Sequence, residues 1–156
     1  MRIAIASDHG GYGFKPPMVQ FIESLGHEVE DLGPESFDSV DYPDYADKVA
    51  RKVAAGEVDF GVLICGTGLG MAITADKVPG VRAVTITSHE FAALARQHNN
   101  ANVICLSGRF VSLSDNMDFV KTFLETDFLG GRHERRVGKI MREDDPTFAG
   151  VDAEGR

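Results

Sequence analysis

The sequence has few cysteines, no long apolar run and no excess of positive charge. Its two cysteines, Cys65 and Cys105, follow no metal-ligand spacing and make no disulfide framework. That pattern fits a reduced, cytoplasmic setting. No apolar stretch reaches the ~18 residues a bilayer-spanning helix needs, so no membrane partner is expected. The first residues, Met1 to Asp8, meet charge too soon to read as a secretory signal. Lys and Arg number 16 against 24 Asp and Glu, for a net charge of −8. The overall basic footprint of a nucleic-acid-binding protein is therefore missing. An acidic chain can still hold an anion, but only through a local cluster of Arg or Lys.

Familiar ligand motifs are missing too. The run Gly66-Thr67-Gly68-Leu69-Gly70 places Met71 where a dinucleotide fingerprint needs its third glycine. No Gly-Lys-Ser/Thr phosphate loop occurs, and no His-Glu-x-x-His zinc motif. The acids from Asp38 to Asp44 lack the ligand alternation and the glycine of a calcium loop. No metal site is expected.

What is present suits one domain. The 156 residues are 43% hydrophobic, enough to bury a substantial core. No internal repeat or linker divides residues 1–142. Residues 143–156 carry five acids with Pro146, Gly150 and Gly155 and read as a loose acidic tail.

Short β-branched runs alternate with helical patterns. Strands are expected at Ile3–Ser7, His27–Leu32, Val58–Cys65, Val81–Thr87 and Val103–Ser107. The first helix follows Pro16-Pro17 and stops at Gly26. A second carries Tyr45, Val49 and Val53. Others are expected at Met71–Val78, His89–Gln97, Leu113–Glu125 and Arg132–Met141. This alternation predicts an α/β fold, a doubly wound five-stranded parallel sheet between two helical layers. Ligands in such folds gather beyond the carboxyl ends of the strands.

Polar and reactive residues collect at those ends. Strand one ends in Ser7-Asp8-His9-Gly10-Gly11, strand three in Cys65 and the glycine loop, strand five in Ser107-Gly108-Arg109. Cys65 has two readings. It is a small buried hydrophobe, or a thiolate stabilised where the glycine loop opens a helix. The loop itself is a tight turn or a nest of N–H groups for an oxyanion. His98 sits at a helix end, where it caps the helix or carries chemistry. Asp8 caps a turn or binds a ligand. Arg132 and Arg136 stand at i and i+4 on one helix face. Their mutual repulsion is about 0.2–0.5 kcal/mol, and a phosphate would reverse its sign. Otherwise they are a solvated face.

Taken in order, several stretches resemble the type B ribose-5-phosphate isomerases and the galactose-6-phosphate isomerase subunits related to them. These stretches are Ser7-Asp8-His9-Gly10-Gly11, Asp41-Tyr42-Pro43, Leu63 to Gly70, Arg96-Gln97-His98-Asn99, Asn102-Val103, and Gly130-Gly131-Arg132-His133 with Arg136. The resemblance implies a flavodoxin-like or Rossmann-like three-layer sandwich. It also implies a homodimer or tetramer whose sites are shared between subunits. Cys65 would be the base moving a proton between C1 and C2 of an open-chain sugar phosphate. His98 would open the sugar ring, and Thr67 would assist proton movement between the oxygens. The N–H groups of Gly66, Gly68, Leu69 and Gly70 would hold the enediolate. Asp8, His9, Tyr42, Asn99, Arg109, Arg132 and Arg136 would bind substrate hydroxyls and phosphate. One branch of the family uses a Glu base at the position of Met71, so this chain resembles the cysteine branch. Such chemistry needs no metal or redox cofactor. The competing readings are an isomerase of allose or galactose 6-phosphate, and a non-catalytic sugar-phosphate-binding module.

Overall fold

The computed structural model describes residues 1–156. Five strands form one parallel sheet: β1 (Arg2–Ser7), β2 (Glu28–Asp31), β3 (Phe60–Cys65), β4 (Ala83–Thr85) and β5 (Val103–Ser107). Their spatial order is β2-β1-β3-β5-β4. Six helices intervene or follow: α1 (Lys15–Ser24), α2 (Tyr42–Ala54), α3 (Leu69–Ala75), α4 (His89–Asn99), α5 (Leu113–Glu125) and α6 (Arg132–Met141).

The strand order decides which face each helix covers. Crossovers between parallel strands are right-handed, so the direction of travel across the sheet selects the face. The steps β2→β3 and β3→β4 run one way, and α2 and α3 pack together on one side with Val49, Val53, Met71 and Ala75. The steps β1→β2 and β4→β5 run back, and α1 and α4 lie on the other side with Met18, Ile22, Ala92 and Ala95. Helix α5 joins them through Phe119, Val120 and Phe123. Each central strand therefore feeds two cores by alternation: Ile3, Ile5, Val62 and Ile64 face one, Ala4, Ala6, Leu63 and Cys65 the other. Helix α2 shows the matching stripe, with Ala46, Val49, Ala50 and Val53 buried at helical spacing.

Several elements shift by one or two residues at an end, and two change most in extent. The fourth strand shrinks from Val81–Thr87 to Ala83–Thr85. The Arg82 N–H goes to Asn102 Oδ1 at 2.7 Å, and the Val81 N–H closes a turn on Val78. The third helix starts at Leu69 rather than Met71, because Gly68 at φ +82° turns the chain into it at once. It ends at Ala75, and i→i−3 bonds from Lys77 and Val78 tighten the chain beyond. After α6, Arg142–Asp144 form a 3₁₀ turn, and Asp144 Oδ2 accepts the Gly80 N–H at 2.7 Å.

This order sets β1, β3 and β5 side by side. Their carboxyl ends carry Asp8, Cys65 and Arg109 to one rim, as the sequence pattern predicts.

Candidate active site

At the rim, Cys65 is 5% exposed, and its Sγ accepts the Gly68 N–H at 3.0 Å. Thr67 is exposed, and its Oγ1 accepts the Leu69 N–H at 3.2 Å. Two of the loop's N–H groups are thus used internally. Those of Gly66, Thr67 and Gly70 have no acceptor within the chain. Two glycines are required by geometry. Gly68 has positive φ, and a Cβ there would lie 3.1 Å from Thr85 Cγ2. Gly70 lies under the exposed ring of Tyr42, so a Cβ would come within 2.6 Å of that ring. Tyr42 opens α2 and thereby roofs the loop.

Arg109 reaches over the loop, with Nη1 3.2 Å from where a Gly66 Cβ would stand. Asp8 is 8% exposed and its Oδ1 accepts the N–H groups of Gly10 and Gly11 at 2.8 and 3.1 Å. That turn fixes the loop while Oδ2 makes no hydrogen bond within the chain. His9 Nδ1 accepts the Val40 N–H at 3.3 Å, which puts the proton of the neutral ring on Nε2. Lys15, only 1% exposed, anchors the neighbouring loop through Asp31 at 2.6 Å and the Pro34 carbonyl. Cys105, fully buried on β5, has its thiol pushed well up by burial, with Asp76 and Cys65 adding to it. It is core.

A second group sits on α4 and α6. Helix α4 is capped by Asn100 at φ +47°, and Arg96 secures that end by donating to Asn100 Oδ1 at 3.0 Å while lying over the Phe60 ring. His98 is half-buried there and Asn99 exposed. The His98 ring stacks on His133 of α6, with centroids 4.2 Å apart and planes 8° apart. Arg132 and Arg136 are exposed on either side of His133 in sequence. Sequence patterning missed the His133 stack; a histidine between two arginines on an otherwise polar helix was the available signal.

The groups do not meet within one chain. No hydrogen bond, salt bridge or ring contact joins His98, Asn99, Arg132 or Arg136 to Cys65 or the glycine loop. None of the chain's clefts is lined by Cys65 or Gly66–Gly70. Thr85 stands between the groups: its Oγ1 donates to the Gly68 carbonyl at 3.0 Å, and it lines an open groove of about 320 Å³ with Ile86, Phe91, Leu94, His98 and Asn99.

Burial, then the nearby His98, Arg132 and Arg136, lowers the basicity of His133 below the ordinary histidine value of 6.5. Its folded-state pKa is depressed, so the unfolded chain binds the proton more readily. This contribution to stability is present above the ordinary value and is lost as pH falls below it. The hydrogen-exchange protection factors of α6, which divide out the base-catalysed intrinsic rate, are expected to fall from pH 7 to pH 5, and His133→Gln should flatten that dependence. An unchanged slope in the variant would assign the effect to other groups.

Residues 3–140 match the ribose/galactose isomerase family. The chain is 50% identical over 148 residues to a probable ribose-5-phosphate isomerase B of Mycoplasma genitalium, covering 94% of this chain and 97% of that one. It superposes on the Clostridium thermocellum ribose-5-phosphate isomerase B with TM-score 0.91 and 49% identity, covering 92% and 97% of the two chains. The Mycoplasma genitalium enzyme with bound ribulose-5-phosphate gives TM-score 0.90 and 49% identity, covering 94% and 97%. Fold and sequence together define an isomerase of the sugar-phosphate class. The chain belongs to the ribose/galactose isomerase family, alongside the type B ribose-5-phosphate isomerases.

Proposed function

We propose that this sugar-phosphate isomerase interconverts ribose 5-phosphate and ribulose 5-phosphate through a cis-enediolate, with Cys65 as the base. One observation carries the reading: Cys65 Sγ sits at the end of β3 against the Gly68 N–H, beside the loop N–H groups of Gly66 and Thr67 that lack acceptors. A base next to unpaired donors is what proton abstraction beside a carbonyl needs.

Starting from the aldose, the thiolate takes the C2 proton and the carbonyl oxygen on C1 becomes the enediolate oxygen. The loop N–H groups hold that oxygen. Thr67 carries a proton from O2 to O1, and the Cys65 thiol returns its proton to C1. No proton is gained or lost overall. His98 opens the furanose beforehand by moving a proton between the ring oxygen and the anomeric hydroxyl. Asp8, His9, Tyr42, Asn99 and Arg109 hold hydroxyls, and Arg132 with Arg136 holds the phosphate. The phosphate is remote from the reacting carbons, so its binding orients them.

The site is shared between two copies of the chain. In support, the rim is open, His98 and the α6 arginines lie apart from Cys65, and Leu69, Ile73 and Phe91 expose 57%, 65% and 59% of their surface around these groups. A homodimer would cover the apolar side chains and bring the α4–α6 group to a partner's rim. A cytoplasmic setting, where sugar phosphates are held and thiols stay reduced, suits a free Cys65.

The test is turnover of ribose 5-phosphate and allose 6-phosphate side by side, with a chelator present. A higher kcat/KM for the pentose supports the proposal. Turnover of the hexose alone keeps the chemistry and changes the substrate, and turnover lost to the chelator would overturn the metal-free route.

A further inference from the structure

One of the loop's free N–H groups, that of Thr67, owes its direction to a residue that lies behind it. The carbonyls of Cys65 and Gly66 both turn toward the segment after β5. Gly108 donates its N–H to the Cys65 carbonyl at 2.8 Å. The Gly66 carbonyl accepts twice, from the Ser107 hydroxyl at 2.8 Å and from the Arg109 N–H at 3.2 Å. In a trans peptide the C=O and the following N–H point in opposite directions. The N–H groups of Gly66 and Thr67 therefore leave the chain on the side away from β5, and neither meets an acceptor. Successive free N–H groups of this kind form a concavity for negative charge.

Ser107 is 2% exposed. Its oxygen accepts the Phe110 N–H at 2.9 Å, which leaves its own proton for Gly66. Its backbone is held in turn: Asn116, fully buried on α5, donates Nδ2–H to the Ser107 carbonyl at 2.9 Å. A chain of bonds thus runs from α5 through Ser107 to the peptide between Gly66 and Thr67.

We infer that Ser107 is a positioning residue of the isomerisation, its hydroxyl aiming the Thr67 N–H at the enediolate oxygen without touching the substrate. The inference rests on the proposal that the loop holds an enediolate. Removing the hydroxyl leaves the Gly66 carbonyl on the longer Arg109 bond alone, and the peptide gains freedom to rotate. The cost falls on the transition state, where the oxygen is charged, and spares the neutral ground state.

Two probes separate these states. A hydroxamate of a four-carbon sugar-acid phosphate presents oxygens like those of the enediolate. Ribitol 5-phosphate presents only hydroxyls. Ser107→Ala is expected to lower kcat about tenfold and to weaken the hydroxamate by a similar factor, since a misaimed donor forfeits part of its effect. Ribitol 5-phosphate affinity and KM should stay within about twofold, as for loss of transition-state binding alone. Ser107→Thr, which keeps the hydroxyl, should restore the hydroxamate affinity. Equal losses for both probes, or none for either, would overturn the role. Should Ser107→Ala fail to fold, Ser107→Cys keeps the volume with a weaker donor, and hydroxamate affinity like the wild type's would overturn it equally. If the wild type itself binds the hydroxamate no better than ribitol 5-phosphate, the enediolate reading of the loop fails first, and the inference falls with it.

Discussion

Cys65→Ala is expected to lower isomerase turnover by roughly 10²–10⁴-fold, the usual cost of losing a positioned base, while ribulose 5-phosphate still binds. Cys65 is only 5% exposed, and its sulfur has one hydrogen bond, from Gly68, so the smaller side chain leaves the loop's other anchors in place. Those anchors are the Thr85 hydroxyl on the Gly68 carbonyl and the Ser107 hydroxyl on the Gly66 carbonyl. Calorimetric titration would measure the retained binding and coupled turnover the lost chemistry. Turnover near the wild-type level would remove Cys65 from the role. The variant also tests the shared site. Cys65→Ala and His98→Ala each disable one group of residues. If the groups come from different chains, mixed dimers of the two variants contain one site with both residues intact. Activity that appears on mixing, and is missing from either variant alone, supports sharing; persistent inactivity after subunit exchange would place both groups in one chain.

Arg132→Ala and Arg136→Ala are each expected to lower kcat/KM by about 10–150-fold, chiefly through KM. That range corresponds to the ~1.5–3 kcal/mol of a hydrogen bond to a charged group. Arg135→Ala should stay within about twofold, because its side chain leaves the helix in another direction. The same substitutions should act oppositely on the free protein. Arg132 and Arg136 repel across one helical turn, and relieving that is worth about 0.2–0.5 kcal/mol. Arg132→Ala should therefore leave the thermal midpoint unchanged or slightly higher while weakening substrate. Equal KM effects at all three positions would reduce the arginines to a general positive charge.

The strand bodies were legible because each is short, apolar and bounded by glycine, proline or charge. Val58–Cys65 fell within two residues of the observed β3, and Val103–Ser107 coincided with β5. The gathering of Asp8, Cys65 and Arg109 at one rim was legible for the same reason, since parallel strands end on one side. The place of β4 at the edge, outside β5, was not. Hydrophobic runs tell which segments are buried, whereas strand order depends on how helices of given length return across the sheet. The truncation of β4 depends on the Asn102 side chain, twenty residues beyond Arg82, whose N–H it takes. The His98–His133 stack and the burial of Lys15 are likewise contacts between elements distant in sequence, and no local pattern encodes them.

The two edges of the sheet have a consequence for how copies of this protein can meet. One edge is β2, four residues reading Glu28-Val29-Glu30-Asp31, and the other is β4, three residues long. A strand added to β2 would face three carboxylates, and β4 offers too short a row of free backbone groups to template another strand. Growth by sheet extension, the usual route from a parallel sheet to a fibre, is closed at both ends. Contact between copies is left to side chains on helices and loops, where surfaces can separate and rejoin without breaking a backbone ladder. The fold thus admits reversible pairing and resists open-ended polymerisation.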